Sequence, residues 1–267
     1  MWRGWHKLPG GDATFDALAN IPSSFPSSSA AGTIDLIAAG GENLFAIVVD
    51  DILQLSSCKS TIATSESKGF ELALLNQGSG QQEKGVTLIS IRSGQRCIID
   101  DVELAELLWP LVQEHLPHRD IVPGMRYKGW IATGINPRFR VLKYSEGERF
   151  ELHQDGSYYV QPESLTGKVT CEQQSFVTFQ LYLNDGGGVD FTGGATRFIQ
   201  PAEQQYSKNV TIPSPSIIDR QQFVKVHDVV PLAGRLLLFQ HNCWHEGERV
   251  TSGIKYVLRS EIMFSKI

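Results

Sequence analysis

Asn136-Pro-Arg-Phe-Arg-Val-Leu-Lys-Tyr-Ser-Glu-Gly-Glu-Arg-Phe-Glu-Leu-His-Gln-Asp-Gly-Ser-Tyr158 is the stretch whose reading decides the fold. It holds two short β-rich runs, 139–144 and 150–153, split by a turn-forming Ser-Glu-Gly-Glu segment. From residue 130 onward the apolar period is strand-like rather than helical. Further short runs follow at 175–183, 196–199, 225–230, 235–239 and 255–264. Gly186-Gly-Gly188, Gly193-Gly194 and Pro231-Leu-Ala-Gly234 punctuate them. Many short strands with regular turn punctuation predict a β-sandwich or barrel. Two longer connections, 156–174 and 200–224, lack such patterning and are expected to be loops; connections of that length are more often functional lids than inert links.

Upstream of this region the pattern is helical. A strand is expected over 44–49 and a short helix over 52–67. The clearest helix is 100–116, where Leu104, Leu107, Leu108, Leu111 and Val112 recur at helical spacing and acidic residues crowd the first turn. Pro110 lies inside that pattern and is expected to kink or split it. Residues 1–32, rich in Gly, Pro and Ser, read as a flexible lead-in, so one domain is expected over 33–267, helices first and barrel second.

Composition narrows the function classes. The 267 residues carry 24 Lys and Arg against 29 Asp and Glu, a formal net charge of −5, with 41% hydrophobic and 20% charged residues. That is the profile of a soluble globule. The acidic balance argues against a phosphate-tracking nucleic-acid surface. The longest apolar run, Leu44 to Val49, is far shorter than the roughly 18 residues of a membrane helix. Cys58, Cys97, Cys171 and Cys243 are scattered and expected to be reduced thiols. The first residues lack the apolar core of a secretory signal, so Asn209-Val-Thr211 is not expected to be glycosylated and a cytoplasmic setting is expected.

The chemistry begins at His153-Gln-Asp155. Residues i and i+2 of a strand project from one face, so an imidazole and a carboxylate can converge on a point. A third donor is available 92 residues later at His245, in Cys243-Trp-His-Glu-Gly247. Two histidines and one carboxylate with open positions form the facial triad of non-haem Fe(II) oxygenases. Zinc also accepts such a set, and a lone His-x-Asp also arises as a simple side-chain hydrogen bond.

The wider context favours the metal. The 136–158 segment resembles the metal-binding strand pair of prolyl 4-hydroxylase-like, 2-oxoglutarate- and Fe(II)-dependent dioxygenases. Phe179-Gln-Leu-Tyr-Leu-Asn184, Gly193-Gly-Ala-Thr-Arg-Phe198, the 230–239 run and His245-Glu-Gly with the 253–264 run match the rest of that pattern in order. The resemblance covers about 131–267 firmly and 40–130 more loosely. It implies a mainly β fold with flanking helices, a double-stranded β-helix of the jelly-roll type with its core at about 131–267, and N-terminal helical support over about 33–130.

By the same resemblance His153, Asp155 and His245 would hold Fe(II). The basic residue for the distal carboxylate of 2-oxoglutarate falls at Lys255, where a buried cation suits a dicarboxylate. Arg259, four residues on and on the same strand face, is a rival or helper for that role, a substrate contact or a barrel-mouth ion pair. Tyr144 and Tyr182 match tyrosines whose hydroxyls can bond the co-substrate in relatives, although buried tyrosines in barrels usually only pack. Thr196 is expected to add a hydroxyl. Arg140 and Asn136 are weaker substrate-site choices near the mouth. The implied reaction couples oxidative decarboxylation of 2-oxoglutarate, with O2, to hydroxylation of an unactivated C–H, with ascorbate as an accompanying cofactor. Asp155 favours hydroxylation over halogenation, because a small residue there would open a halide site. The implied substrate is a prolyl or other peptidyl side chain, with small molecules and free amino acids next. The alternatives of other classes are a non-catalytic barrel that binds a partner, and a zinc hydrolase using Glu246 as base.

Other signals carry less. His241 and Cys243 mimic a zinc cluster but would not share a face with His245, so His241 is expected to pack or to support a ligand. The glycines of 186–194 fit no dinucleotide fingerprint. His6, His115, His118 and His227 read as surface residues, and Ser157 and Cys171 lack an adjacent base.

Overall fold

The computed structural model describes residues 31–37, 43–73, 93–116, 129–160, 171–201 and 223–266. In chain order the elements are β1 (Ala31–Thr33), β2 (Leu36–Ile37), β3 (Asn43–Leu44), β4 (Ala46–Val49), α1 (Leu55–Lys68), β5 (Glu71–Leu72), β6 (Gln95–Asp100) and α2 (Val102–Gln113). They continue with β7 (Trp130–Ile135), β8 (Arg138–Tyr144), β9 (Phe150–His153), β10 (Tyr159–Val160), β11 (Gln173–Tyr182) and β12 (Phe191–Gly193). The remainder are β13 (Thr196–Pro201), β14 (Phe223–Val229), β15 (Leu236–Gln240), β16 (His245–Gly247), β17 (Val250–Gly253) and β18 (Lys255–Lys266).

Two antiparallel sheets form the double-stranded β-helix. The major sheet runs β1-β4-β15-β11-β18-β8-β6-β5, with β7 on β18 and β10 on β11; the minor sheet runs β14-β13-β16-β9. Period-two alternation sorts the major sheet's side chains into two layers. Phe139, Val141, Phe179, Leu181, Leu236, Leu238 and Leu258 face the helices and join Leu104, Leu108 and Val112 of α2. Leu142, Tyr144, Tyr182, Leu237, Phe239 and Val257 face the minor sheet and join Phe198 and Val229. Phe198 meets Phe239 edge-on across that inner layer, centroids 5.3 Å apart, a favoured aromatic arrangement.

Three differences from the sequence expectation have physical causes. The helix over 102–113 is one element through Pro110. The bond Pro110 cannot donate would have gone to the Glu106 carbonyl, and Glu106 is exposed, so water can serve it. Its N-cap follows rule: the Asp101 side chain accepts from Leu104 N at 2.9 Å. The N-terminal part is also more than helical support, since β4 pairs with β15 and β6 with β8 in the major sheet. Finally, the 156–174 connection contains β10, paired to the start of β11, while 161–170 and 202–222 lie outside the described residues, as do residues 1–30. The first described element is β1, at Ala31.

Gly234 shows why its turn needs glycine. Its φ is +82°, and a Cβ there would sit 2.2 Å from the Leu53 carbonyl oxygen.

Candidate functional site

β9 and β16 lie side by side in the minor sheet, and His153 and His245 are register partners across them. Each ring is tethered by Nδ1 to the carbonyl two residues back: Glu151 O at 2.7 Å for His153 and Cys243 O at 3.0 Å for His245. That tether fixes the tautomer, with Nδ1 donating and Nε2 left as the lone-pair donor. Phe150 stacks on His153 at 3.6 Å between centroids, and Phe239 meets His245 edge-on at 4.6 Å.

Asp155 completes the group. Its backbone N–H donates to the His241 carbonyl at 2.9 Å, which turns the chain inward just past β9. The carboxylate is 4% exposed, accepts from Thr178 Oγ1 at 2.5 Å on Oδ2, and forms an ion pair through Oδ1 with Arg259. Ligand atoms of His153, Asp155 and His245 all lie within 4.8 Å of one another.

The electrostatics suit a cation. Burial alone would raise the Asp155 carboxyl, but Arg259, His245 and His153 outweigh it and hold it well below the ordinary carboxylate range. Burial, with His153 adding to it, pushes His245 down to about 3, so the ring is neutral. His153 Nε2 is buried and makes no hydrogen bond in the described structure. An orphaned imidazole nitrogen, a neutral imidazole and an ionised carboxylate converging on one point fit a ferrous ion, a borderline divalent metal with N and O ligands.

A cleft open to solvent adjoins this group. His153, His245, Tyr144, Thr196, Lys255 and Arg259 all line it. Lys255 is 4% exposed and donates from Nζ to the Gly194 carbonyl at 2.6 Å. The Tyr144 and Tyr182 rings lie 5.7 and 5.6 Å from that nitrogen. Burial pushes Lys255 down to about 7, with Glu248 pulling weakly the other way. No carboxylate pairs with it among the described residues.

Tyr182 differs from its expected position. It is fully buried, and its hydroxyl donates to Thr196 Oγ1 at 2.7 Å while accepting from Gln180 Nε2 at 3.0 Å, behind the cavity wall. Arg140 and Asn136 also do not line the cavity. Both bond Glu261, at 2.7 and 2.8 Å, in a buried network beneath Arg259. Glu246 is paired to Arg197 at 3.3 Å, which removes it as a free base. The His241 carbonyl accepts from Asp155 N, and its ring is buried beside Asp155 and Arg259. His115 is partly buried rather than on the surface, while His227 is exposed; His6, His118 and Asn209-Val-Thr211 lie outside the described residues. The four cysteines are free.

Thr178 and Gln180 were not anticipated. The signal for both lay in Thr178-Phe-Gln-Leu-Tyr182, where polar residues alternate with buried apolar ones on a central strand and so must face a polar interior.

Residues 139–260 match the 2OG-Fe(II) oxygenase superfamily. No curated protein matches the chain. Among solved structures, the chain is similar to the viral collagen prolyl hydroxylase of Paramecium Bursaria Chlorella virus-1 in its 2OG complex, with 14% identity, TM-score 0.46 and coverage of 82% of this chain and 95% of that one. It is similar to a prolyl-4-hydroxylase of Pseudomonas putida at 16% identity and TM-score 0.47, covering 83% and 91%. A third is the Trichoplax adhaerens prolyl hydroxylase in complex with a hypoxia inducible factor oxygen degradation domain peptide fragment, at 18% identity and TM-score 0.47, covering 83% of each chain.

Proposed function

We propose that this chain, whose residues 139–260 match the 2OG-Fe(II) oxygenase superfamily, is a dioxygenase that hydroxylates an unactivated C–H of a prolyl or other peptidyl side chain. Fe(II), 2-oxoglutarate and O2 are the cofactor and co-substrates of the family. The observation that carries the residue assignment is the convergence of His153, Asp155 and His245 at the wall of the cavity that Lys255 enters.

His153 and His245 present Nε2 and Asp155 presents a carboxylate oxygen to the metal. When bound, Fe(II) supplies the activation of O2 that decarboxylates 2-oxoglutarate to succinate and CO2 and oxidises the substrate carbon. Lys255 holds the distal carboxylate of 2-oxoglutarate, its charge restored by the dianion it meets. Thr196 accepts from both Tyr182 and Gln180, so its own hydroxyl proton points elsewhere and is available to the same carboxylate. Tyr144 and Tyr182 flank Lys255 with their rings, and the Tyr182 hydroxyl also fixes Thr196. Phe150 and Phe239 shield the histidines from solvent. The prolyl or peptidyl assignment rests on the ordered motif resemblance of residues 131–267. We place ascorbate as the accompanying cofactor, and the free thiols suit a reducing compartment such as the cytoplasm. No helix among the described residues is long and apolar enough to cross a membrane.

The test is an incubation of purified protein with Fe(II), ascorbate and labelled 2-oxoglutarate, with and without proline-containing peptides. Succinate above the metal-free control is expected, and more of it with a substrate. Absence of both Fe(II) binding and succinate would sink the oxygenase reading and favour a barrel that only binds a partner.

A further inference from the structure

The cavity has a second buried cation that the co-substrate leaves unused. Arg259 lies on the inner face of β18 with Lys255, and both line the cavity. Four residues of strand separate their Cα atoms by roughly 13 Å. The Arg259 guanidinium, 15% exposed, pairs with Asp155. The neighbouring carboxylates are already engaged. Glu261 is bound by Arg140 at 2.7 Å and by Asn136 at 2.8 Å, and Glu248 by Arg197 at 3.0 Å.

Charge balance decides what Arg259 needs. Charges taken out of water must be paired or they cost several kcal/mol. In the loaded site Asp155 would hold the metal and Lys255 the distal carboxylate of 2-oxoglutarate, which would leave Arg259 without a carboxylate of its own. Two side-chain cations and a divalent metal against one aspartate and one dianion leave a single positive charge, and the guanidinium at Arg259 is where it sits.

We propose that Arg259 receives a carboxylate of the primary substrate, so that the enzyme acts on carboxylate-bearing molecules. This rests on the Fe(II)/2-oxoglutarate reading and narrows its substrate class. Asp155 occupies the carboxylate-binding face of Arg259 until the metal draws it away. A planar guanidinium takes a carboxylate through two parallel hydrogen bonds, which also fixes the substrate's orientation toward the metal. The carboxylate comes either from a free amino or imino acid or from an acidic residue of a peptide, next to the carbon that is oxidised.

The experiment uses full-length protein loaded with Mn(II) and saturated with 2-oxoglutarate under anaerobic conditions, titrated with acetate or with acetamide and followed by calorimetry and thermal shift. Acetate is expected to bind and raise Tm, and acetamide to do neither. Arg259→Gln should weaken acetate binding by roughly tenfold or more, the scale of a charge-assisted hydrogen bond, and Arg259→Lys should recover part of it. Equal responses to acetate and acetamide in the wild-type protein would overturn the proposal even if the variants fail to fold, as would unchanged acetate binding in Arg259→Gln. Failure of Mn(II) or 2-oxoglutarate to bind is a different result, which removes the oxygenase reading beneath it. Succinate release then separates the two sources. Free L-proline and other amino acids are compared with their amides, and blocked peptides containing Glu with their Gln counterparts. One of these acid forms is expected to exceed its neutral twin, and no advantage for any acid form overturns the proposal.

Discussion

His153 and His245 face each other as register partners on adjacent antiparallel strands, their ring centroids 4.2 Å apart and both Nδ1 atoms held by backbone carbonyls. Burial, with His153 beside it, pushes His245 down to about 3, so its ring is neutral. Their backbone tethers leave Nε2 as the free donor on each, which is the state a metal requires and a hydrogen-bonded packing pair does not.

His153→Ala should therefore abolish Fe(II) binding and lower turnover by more than about 100-fold, beyond what losing an outer partner costs. Asp155→Ala should do the same while leaving Arg259 buried without its partner, so it should also lower Tm. Metal content after dialysis and succinate release check both. Retained iron in either variant would move the metal elsewhere.

The fold and the metal ligands were legible for different reasons. Period-two alternation along β8, β11, β15 and β18 announced a two-layered β structure, because a strand between two layers must alternate faces. His153-Gln-Asp155 was legible because strand geometry alone puts both side chains on one side. By contrast the strand expected over 44–49 was placed with the helical support and β6 was not expected, since short strands gain their meaning only from the partners they pair with, Leu236 to Phe239 and Arg138 to Lys143. The Arg259–Asp155 pair was out of reach for a similar reason. A sequence shows which residues share the face of β18 but not what leans against that face from the opposite sheet.

Lys255 carries two opposed predictions. Lys255→Ala should raise the KM for 2-oxoglutarate by about 10- to 100-fold, the scale of a charged hydrogen bond, with little change in metal affinity. Lys255→Met fills the same apolar slot without a charge. In the ligand-free protein at pH 7 it should be more stable than wild type by about 1–4 kcal/mol, read as a higher midpoint in denaturant.

The same lysine sets a pH dependence. Burial depresses it to about 7, while an unfolded lysine titrates near 10.5. The unfolded chain thus binds the extra proton between those values, so stability of the ligand-free protein should rise with pH from about 7 to about 10.5. Affinity for 2-oxoglutarate should fall over the pH range above about 7, as the folded lysine loses the proton that the dicarboxylate needs. Lys255→Met should flatten both trends, measured by denaturant titration and by the KM profile. Equal slopes in wild type and variant would exclude Lys255 as the titrating group.

Gly194 is the seat of that lysine. Its carbonyl accepts from Lys255 Nζ, its φ is +71°, and a Cβ would lie 2.8 Å from the Phe191 ring and 3.2 Å from Lys255 Cδ. Gly194→Ala strains the backbone at a cost of about 1–3 kcal/mol and presses on the lysine stem. The expected result is a higher KM for 2-oxoglutarate with near-normal binding of Mn(II) in the absence of co-substrate. Loss of metal binding as well would mean that the loop, and not Lys255 alone, supports the metal site.

Thr178 tests whether the carboxylate must be held in place to bind metal. Its hydroxyl donates to Asp155 Oδ2 at 2.5 Å from the neighbouring sheet, and Arg259 holds Oδ1. A carboxylate offers about four lone-pair directions, so the Thr178 donor can stay while the Arg259 side of the carboxylate turns to a metal. Thr178→Val keeps the shape of the side chain but removes the donor, leaving Asp155 free to rotate about its last torsion. Outer partners of this kind are worth about 10- to 100-fold in metal affinity. Calorimetry with Mn(II) should show a loss in that range for Thr178→Val and recovery for Thr178→Ser, whereas the KM for 2-oxoglutarate at saturating metal should move little. If Val and Ser variants bind Mn(II) equally well, the hydroxyl serves packing and not the orientation of Asp155.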